Sequence, residues 1–185
     1  MKFKKELIVP TEKDEFFRMT QIHGDVHDEG AAMMDGVSGN AGIFSTANDL
    51  SIIYQMFLDN GFYKNKEILK KSTINLFTQC DFCINKFNRG LGFDKPIQLY
   101  DVNDCTYSKY SSMSSFGHSG YTGTFIWVDP DYDLIYIFLS NRVYKTRENK
   151  KLYEYNIRTK IHDLIFESFL SESDLDSFNS GKLWN

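Results

Sequence analysis

The sequence predicts an α/β (α+β) domain in which an antiparallel sheet is flanked by helices, and three observations carry that expectation. Two β-rich runs, Thr124 to Val128 and Leu134 to Ser140, are joined by Asp129-Pro130-Asp131-Tyr132-Asp133, strong turn chemistry that makes them a hairpin. The second run is apolar on both pleat faces and so needs cover on both sides. Helical periodicity before and after the hairpin supplies that cover, giving a helix–sheet–helix sandwich.

Composition fits this class. The 185 residues suit one domain, and 42% hydrophobic content with 16% aromatic is ample for a core. A chain of this size should bury about 70% of its unfolded surface. The 21 basic and 25 acidic residues leave a formal charge of −4 without long blocks, which argues against nucleic acid as a partner. No apolar run approaches the roughly 20 residues of a membrane helix, so no membrane span is expected. Leu7 to Val9 before Pro10 is also too short for a secretory signal, which needs about 7–15 apolar residues. Either the protein stays in the cytoplasm, or its export signal lies on a longer parent. Cys80, Cys83 and Cys105 are too few for a disulfide framework. Cys80-Asp-Phe-Cys83 has the spacing of half a zinc site or a redox pair, but only Cys105 remains to complete a metal set. They read as ordinary thiols, with no metal and no cofactor.

Along the chain, residues 1–20 are charged and mixed and read as an extended N-terminal arm. Gly24, Gly30, Gly36, Gly39 and Gly42 interrupt the next stretch too often for a long helix, so it reads as a compact loop. Thr46-Ala-Asn-Asp49 fits a capping pattern, and Leu50, Ile53, Tyr54 and Phe57 follow at helical spacing, with Gly61 placed to end the helix. A shorter helix after Ser72 buries Ile74 and Phe77. After Arg89, Gly-Leu-Gly-Phe and Lys-Pro-Ile-Gln-Leu-Tyr suggest extended chain. The closing helix runs from about Glu148 to Leu170 with Ile157, Ile161, Leu164 and Ile165 on its buried face. Residues 171–185 form a polar tail with a Trp near its end.

Chemistry concentrates in Phe116-Gly-His-Ser-Gly-Tyr-Thr-Gly-Thr124. Together with Gly24-Asp-Val-His-Asp28, Gly-Val-Ser-Gly-Asn-Ala-Gly-Ile-Phe-Ser (36–45), Gly-Leu-Gly-Phe (90–93) and the run to Tyr144, it resembles the C-terminal portion of serine β-lactamase-like proteins. That superfamily also holds penicillin-binding DD-peptidases and related esterases. The resemblance is strongest to a branch fused to family-3 glycoside hydrolase (β-N-acetylglucosaminidase-like) domains of the bacterial envelope, and it covers roughly residues 8 to 170. It implies a partial β-lactamase/DD-peptidase-like fold over residues 21–170.

The family works through Ser-x-x-Lys, a second Ser-Asp-Asn or Tyr-x-Asn element, and a third Lys-Thr-Gly or His-Thr-Gly element. His118-Ser119-Gly120 matches the third. By that match His118 supplies a polar or cationic contact toward substrate carboxylate and nucleophile. The Ser119 hydroxyl bonds substrate, Gly120 permits close approach, and the Tyr121 backbone N–H is one of two oxyanion donors. No serine in the sequence has a lysine three positions later. Tyr63-Lys64-Asn65 spells Tyr-x-Asn but follows the glycine-rich loop where the family's element precedes it, so it reads as an exposed turn. Ser38-Gly39-Asn40 reads as loop chemistry. His27 and Asp28 are candidates for a loop contribution, by hydrogen bonding or as base and orienter. A His23–His27–Asp28 metal cluster is disfavoured. His162 reads as a rim residue, and Asn141-Arg142 as an anchor for the strand end.

The resemblance therefore implies one wall of a serine-hydrolase site, inactive alone, from a parent acting on a β-lactam, an ester or a peptidoglycan-like substrate in the periplasm or envelope. The parent's first strands pair with the last strand, so Leu134–Ser140 is expected to seek the missing N-terminal half or a homodimer partner. The alternative, from another class, is a stand-alone non-catalytic module that binds a peptidoglycan-like ligand or a protein partner.

Overall fold

The computed structural model describes residues 4–80, 83, 88–97, 100–101 and 105–179. Where mixed charge suggests an extended arm, residues 11–22 close into a hairpin of β1 (Lys13–Asp14) and β2 (Thr20–Gln21). Asp14 makes the turn, its carboxylate accepting from the N–H groups of Phe16, Phe17 and Arg18 at 2.9, 2.9 and 3.0 Å. Burial alone would raise this carboxyl, but those N–H groups and the Arg18 guanidinium outweigh it and hold it far below the ordinary range. Glu12, Asp14 and Ile22 are all buried. Asp14 can sit inside because its own turn supplies its partners, and Glu12 because Arg147 and His27 come from elsewhere in the chain.

The glycine-rich loop contains α1 (Glu29–Met33), capped by Asp28, whose Oδ1 accepts from the Ala31 N–H at 2.7 Å. Next comes α2 (Ala47–Leu58), where Thr46 accepts from the Asp49 N–H at 3.2 Å as the capping pattern requires. It ends at Gly61, whose φ of +98° and N–H to Met56 O suit the residue that has no Cβ. The exposed turn Lys64-Asn65 joins β3 (Phe62–Tyr63) to β4 (Lys66–Glu67), and α3 (Lys71–Thr78) follows with Ile74 buried and Phe77 exposed.

The main sheet has three strands in the order β5 (Phe116–Ser119), β6 (Phe125–Asp129), β7 (Leu134–Phe138), all antiparallel. Phe116, Val128 and Ile135 lie opposite one another, as do Gly117, Trp127 and Tyr136, so strand alternation puts these two rows on opposite faces. On the first face Phe116 meets Phe57 of α2 at 6.0 Å between ring centroids. On the second, Phe125, Trp127 and Tyr136 join Cys105 and Tyr107 in the core, Trp127 stacking on Tyr107 at 4.5 Å. The expected helix–sheet–helix sandwich is present.

The closing helix differs from expectation. It is broken by Asn156 (φ +49°) into α4 (Lys151–Glu154) and α5 (Ile157–Glu167). The buried face of α5 is Arg158, Thr159, His162 and Phe166, while Ile161 and Leu164 are 37% and 64% exposed. The rings of Phe125, Tyr132 and Tyr136 draw His162 and Phe166 to the sheet, which leaves Ile161 and Leu164 outward while Ile165 still packs against the core. His162, expected at a rim, is thus fully buried, with Nδ1 accepting from the Ser108 N–H at 3.0 Å. The polar tail begins as α6 (Glu172–Asn179), with Phe178 against Tyr110. Trp184, and Gln98 and Leu99 of the extended run, lie outside the described residues. Cys80 and Cys83 lie side by side with their Cα atoms 5.3 Å apart, and Cys105 is a core residue.

Candidate active-site wall

The candidate site starts from β5, which can approach β6 closely only because Gly117 lacks a side chain. A Cβ there would strike the Ile126 carbonyl oxygen and the Trp127 ring. Gly120 serves the same need one turn later, where a Cβ would meet the Thr124 hydroxyl. Gly120 O accepts from the Gly123 N–H at 2.9 Å, closing a tight turn with Tyr121 and Thr122 at its tip. Gly123 takes the left-handed position of that turn at φ +108°.

His118 is exposed at the end of β5 and its ring is fixed from two sides. Nδ1 bonds Ser119 O at 2.8 Å, and Nε2 faces the Arg89 Nη2 at 3.3 Å. A guanidinium only donates, so Nε2 accepts and the proton sits on Nδ1. Arg89 also pairs with Asp94 at 2.8 Å, and Asp94 bonds Gly117 through reciprocal backbone bonds of 2.7 and 3.1 Å. The Ser119 hydroxyl has no partner among the described residues. Neither has the Tyr121 N–H, which the turn presents outward.

Tyr121 is otherwise firmly held. Its carbonyl accepts from Arg142 Nε at 2.9 Å and Tyr153 Oη at 3.1 Å. Its ring stacks on His27 at 5.6 Å and lies 4.6 Å from the Arg142 guanidinium carbon. His27 is buried and bonds Glu12 Oε2 through Nε2 at 2.9 Å, while Arg18 clasps the Val26 and His27 carbonyls at 2.6 Å each. Arg147 grips both Glu12 oxygens at 2.9 Å through Nε and reaches Glu29 at 2.7 Å. Burial alone would raise the Glu12 carboxyl, but the Arg147 side chain and N–H, with His27, outweigh it and leave it below its usual range.

His27 and Asp28 do not act as base and orienter for each other, since His27 turns to Glu12 and Asp28 caps α1. Asn40 of Ser38-Gly39-Asn40 bonds Asp28 at 3.3 Å. His23 bonds Ile8 O instead of joining a cluster, and no metal-binding group of His, Cys, Asp and Glu occurs among the described residues. Asn141 and Arg142 do anchor the strand end, Asn141 by donating to Pro10 O. Lys95 is a buried lysine beside serines; burial pushes its amine down to about 8, partly offset by Asp129 and Asp131. Its Nζ nevertheless donates to the Ser114 carbonyl rather than to a hydroxyl, and Ser114 Oγ donates to Asp131.

Sequence reasoning missed Arg89, Glu12, Arg147 and Tyr153. Arg89 sits just before Gly90-Leu-Gly-Phe93 and could have been weighed as a cation near the third element. Glu12 and Arg147 lie 135 positions apart and give no local signal. The wall can bind an anion or a polarised carbonyl. Among the described residues it offers no serine paired with a base.

Residues 8–159 match the family described as Beta-lactamase. A Bacillus subtilis (strain 168) protein named N-acetylmuramyl-L-alanine amidase is 34% identical over 142 residues, covering 74% of this chain and 31% of that protein. An Escherichia coli (strain K12) protein named "Putative D-alanyl-D-alanine carboxypeptidase" is 31% identical over 126 residues, covering 68% of this chain and 28% of that protein. The chain therefore spans about a third of the length of the curated relatives it matches.

Proposed function

The chain belongs to the β-lactamase family, and from that premise we propose that it is the C-terminal part of a serine hydrolase of the β-lactamase/DD-peptidase/esterase type. The observation that carries the reading is the unpartnered Tyr121 N–H, held outward immediately after His118-Ser119-Gly120. In this reading that N–H is one oxyanion donor, Ser119 bonds the substrate, and His118 with Arg89 forms a cationic edge for a substrate carboxylate. The relatives' names point to a peptidoglycan-like amide or peptide as substrate. The finer resemblance, to the branch fused to glycoside hydrolase domains, would place the parent in the cell envelope.

The acyl-accepting serine, its lysine and the second oxyanion N–H would come from sequence outside this chain, since no Ser-x-x-Lys occurs in it. Losing the nucleophile of such a unit costs roughly a millionfold in kcat, so the chain alone is expected to be inactive. The occupant proposed for the open edge of β7 and the exposed stripe of α5 is the missing N-terminal half, with a second copy as its substitute. The test is covalent labelling by a fluorescent penicillin. The chain alone should remain unlabelled; mixed with a family polypeptide that carries Ser-x-x-Lys, label should appear on that polypeptide's serine. Label on this chain's own hydroxyls would overturn the reading.

The alternative is a non-catalytic binding module. It is favoured by the completeness of the wall, whose His118–Arg89–Asp94 contacts and Tyr121 turn form without any further chain. Saturable binding of a muropeptide by the chain alone, with no labelling in the mixture, would select it.

A further inference from the structure

Tyr121 is more than half exposed, yet it is the most restrained part of its turn. Three independent restraints meet on it. The peptide plane that carries its N–H is fixed by the Gly123 N–H on the Gly120 carbonyl. Its own carbonyl is bound twice, by Arg142 Nε and Tyr153 Oη. Its ring is stacked on His27 and approached by the Arg142 guanidinium.

The groups that hold Tyr121 are themselves held. Arg142 is buried and spends Nη1 on the carbonyls of Arg147 and Asn149, at 2.9 and 3.1 Å. The Glu12–Arg147 pair fixes His27, and Arg147 donates to Glu12 from its backbone N–H as well as its side chain. A surface tyrosine that needed only to be soluble would require none of this. An N–H that must meet developing negative charge has to be fixed before the reaction, because a donor that reorganises at that moment loses most of its effect.

We infer that His27 and Arg142 are positioning residues for the Tyr121 backbone N–H, with Glu12, Arg147 and Tyr153 as the frame that holds them. The inference rests on the reading of that N–H as an oxyanion donor. The clamp joins four separated segments (the first hairpin, the glycine-rich loop, the turn after β5, and residues 142–153) onto one peptide group. It explains why the first hairpin buries a carboxylate, which an arm with no role at the site would leave in water.

The clamp can be read without substrate, by backbone order parameters of the ¹⁵N-labelled 185-residue chain. The Tyr121 amide should match the β6 amides at about 0.85, and should fall below about 0.6 in His27→Ala and in Arg142→Ala while β6 stays rigid. Tyr121→Phe should keep the rigid value and Tyr121→Ala should lose it. This pair decides the matter if a clamp variant fails to fold, because the Tyr121 ring is exposed. A merely structural anchor would lower thermal stability in His27→Ala and leave the Tyr121 order unchanged. That result overturns the inference, as does a mobile Tyr121 amide in the unaltered chain. Failure of the oxyanion reading appears elsewhere, in the penicillin labelling of the mixture.

Discussion

The turn at Gly120–Gly123 and the edge at Leu134–Phe138 are connected through a single strand, yet they are finished to different degrees. Around the turn the Tyr121 and Thr122 carbonyls, the Tyr121 ring and the Arg142 guanidinium are paired, and among the described residues the Ser119 hydroxyl and the Tyr121 N–H are left for something else. Along the edge, β7 has β6 on one side and no strand on the other among the described residues. Beside it Leu139, Ile161 and Leu164 are exposed. The buried charge of Glu12 finds its partners inside the chain, even at a separation of 135 positions. The apolar side chains beside the edge stay in water. A buried charge needs a partner, so the Glu12 pairing marks a contact that this chain completes by itself, whereas Trp127 Nε1 and His162 Nε2 are buried without one.

The contrast can be broken most forcefully at Glu12. Removing one partner of a buried ion pair leaves the other uncompensated, so Glu12→Ala should cost about 3–5 kcal/mol in urea unfolding. A loss below about 1 kcal/mol, the range of an exposed pair, would mean that the first hairpin is only loosely attached.

His162 sharpens the comparison through pH. Burial pushes its imidazole down to about 3 from 6.5. Below pH 6.5 the unfolded chain therefore binds a proton that the folded chain refuses. Stability should fall as pH drops from 6.5 toward 3, by up to about 1.4 kcal/mol per unit. The depressed Glu12 and Asp14 carboxyls act lower, where stability present above their unfolded values is lost as pH falls through the folded ones. Between pH 6.5 and 5 His162 gives this downward trend and the buried Asp129 and Asp163 carboxyls, which burial raises, oppose it, so His162→Gln should remove the loss.

A smaller effect is expected at Gly123, whose left-handed φ and crowding by Ser140 and Leu152 exclude a side chain. Gly123→Ala should cost about 1–2 kcal/mol, read as a lowered Tm. The smallest concerns the edge itself. If copies pair along β7, Leu139→Lys should weaken the dimer about tenfold in sedimentation equilibrium. A chain that stays monomeric at every concentration, with rapidly exchanging β7 amides, would show that the edge needs no partner.

What was legible in the sequence was local. The Thr46 cap, the Gly61 stop, the hairpin around Pro130 and the His118-Ser119-Gly120 element each declare themselves within a few residues. The role of Glu12 did not, because a lone glutamate in a charged stretch looks solvated until Arg147 arrives. The face of α5 was misjudged for a different reason. Ile165 does pack against the core and Ile157 is part-buried, but the sheet's aromatic row takes His162 and Phe166 and leaves Ile161 and Leu164 exposed.

The claim that this chain is one wall of a serine-hydrolase site is tested most directly by intact-mass analysis after incubation with a penicillin. The account predicts an unmodified mass for the chain alone, at any time and concentration. An adduct mapped to one of its own serines, Ser119 included, would contradict it.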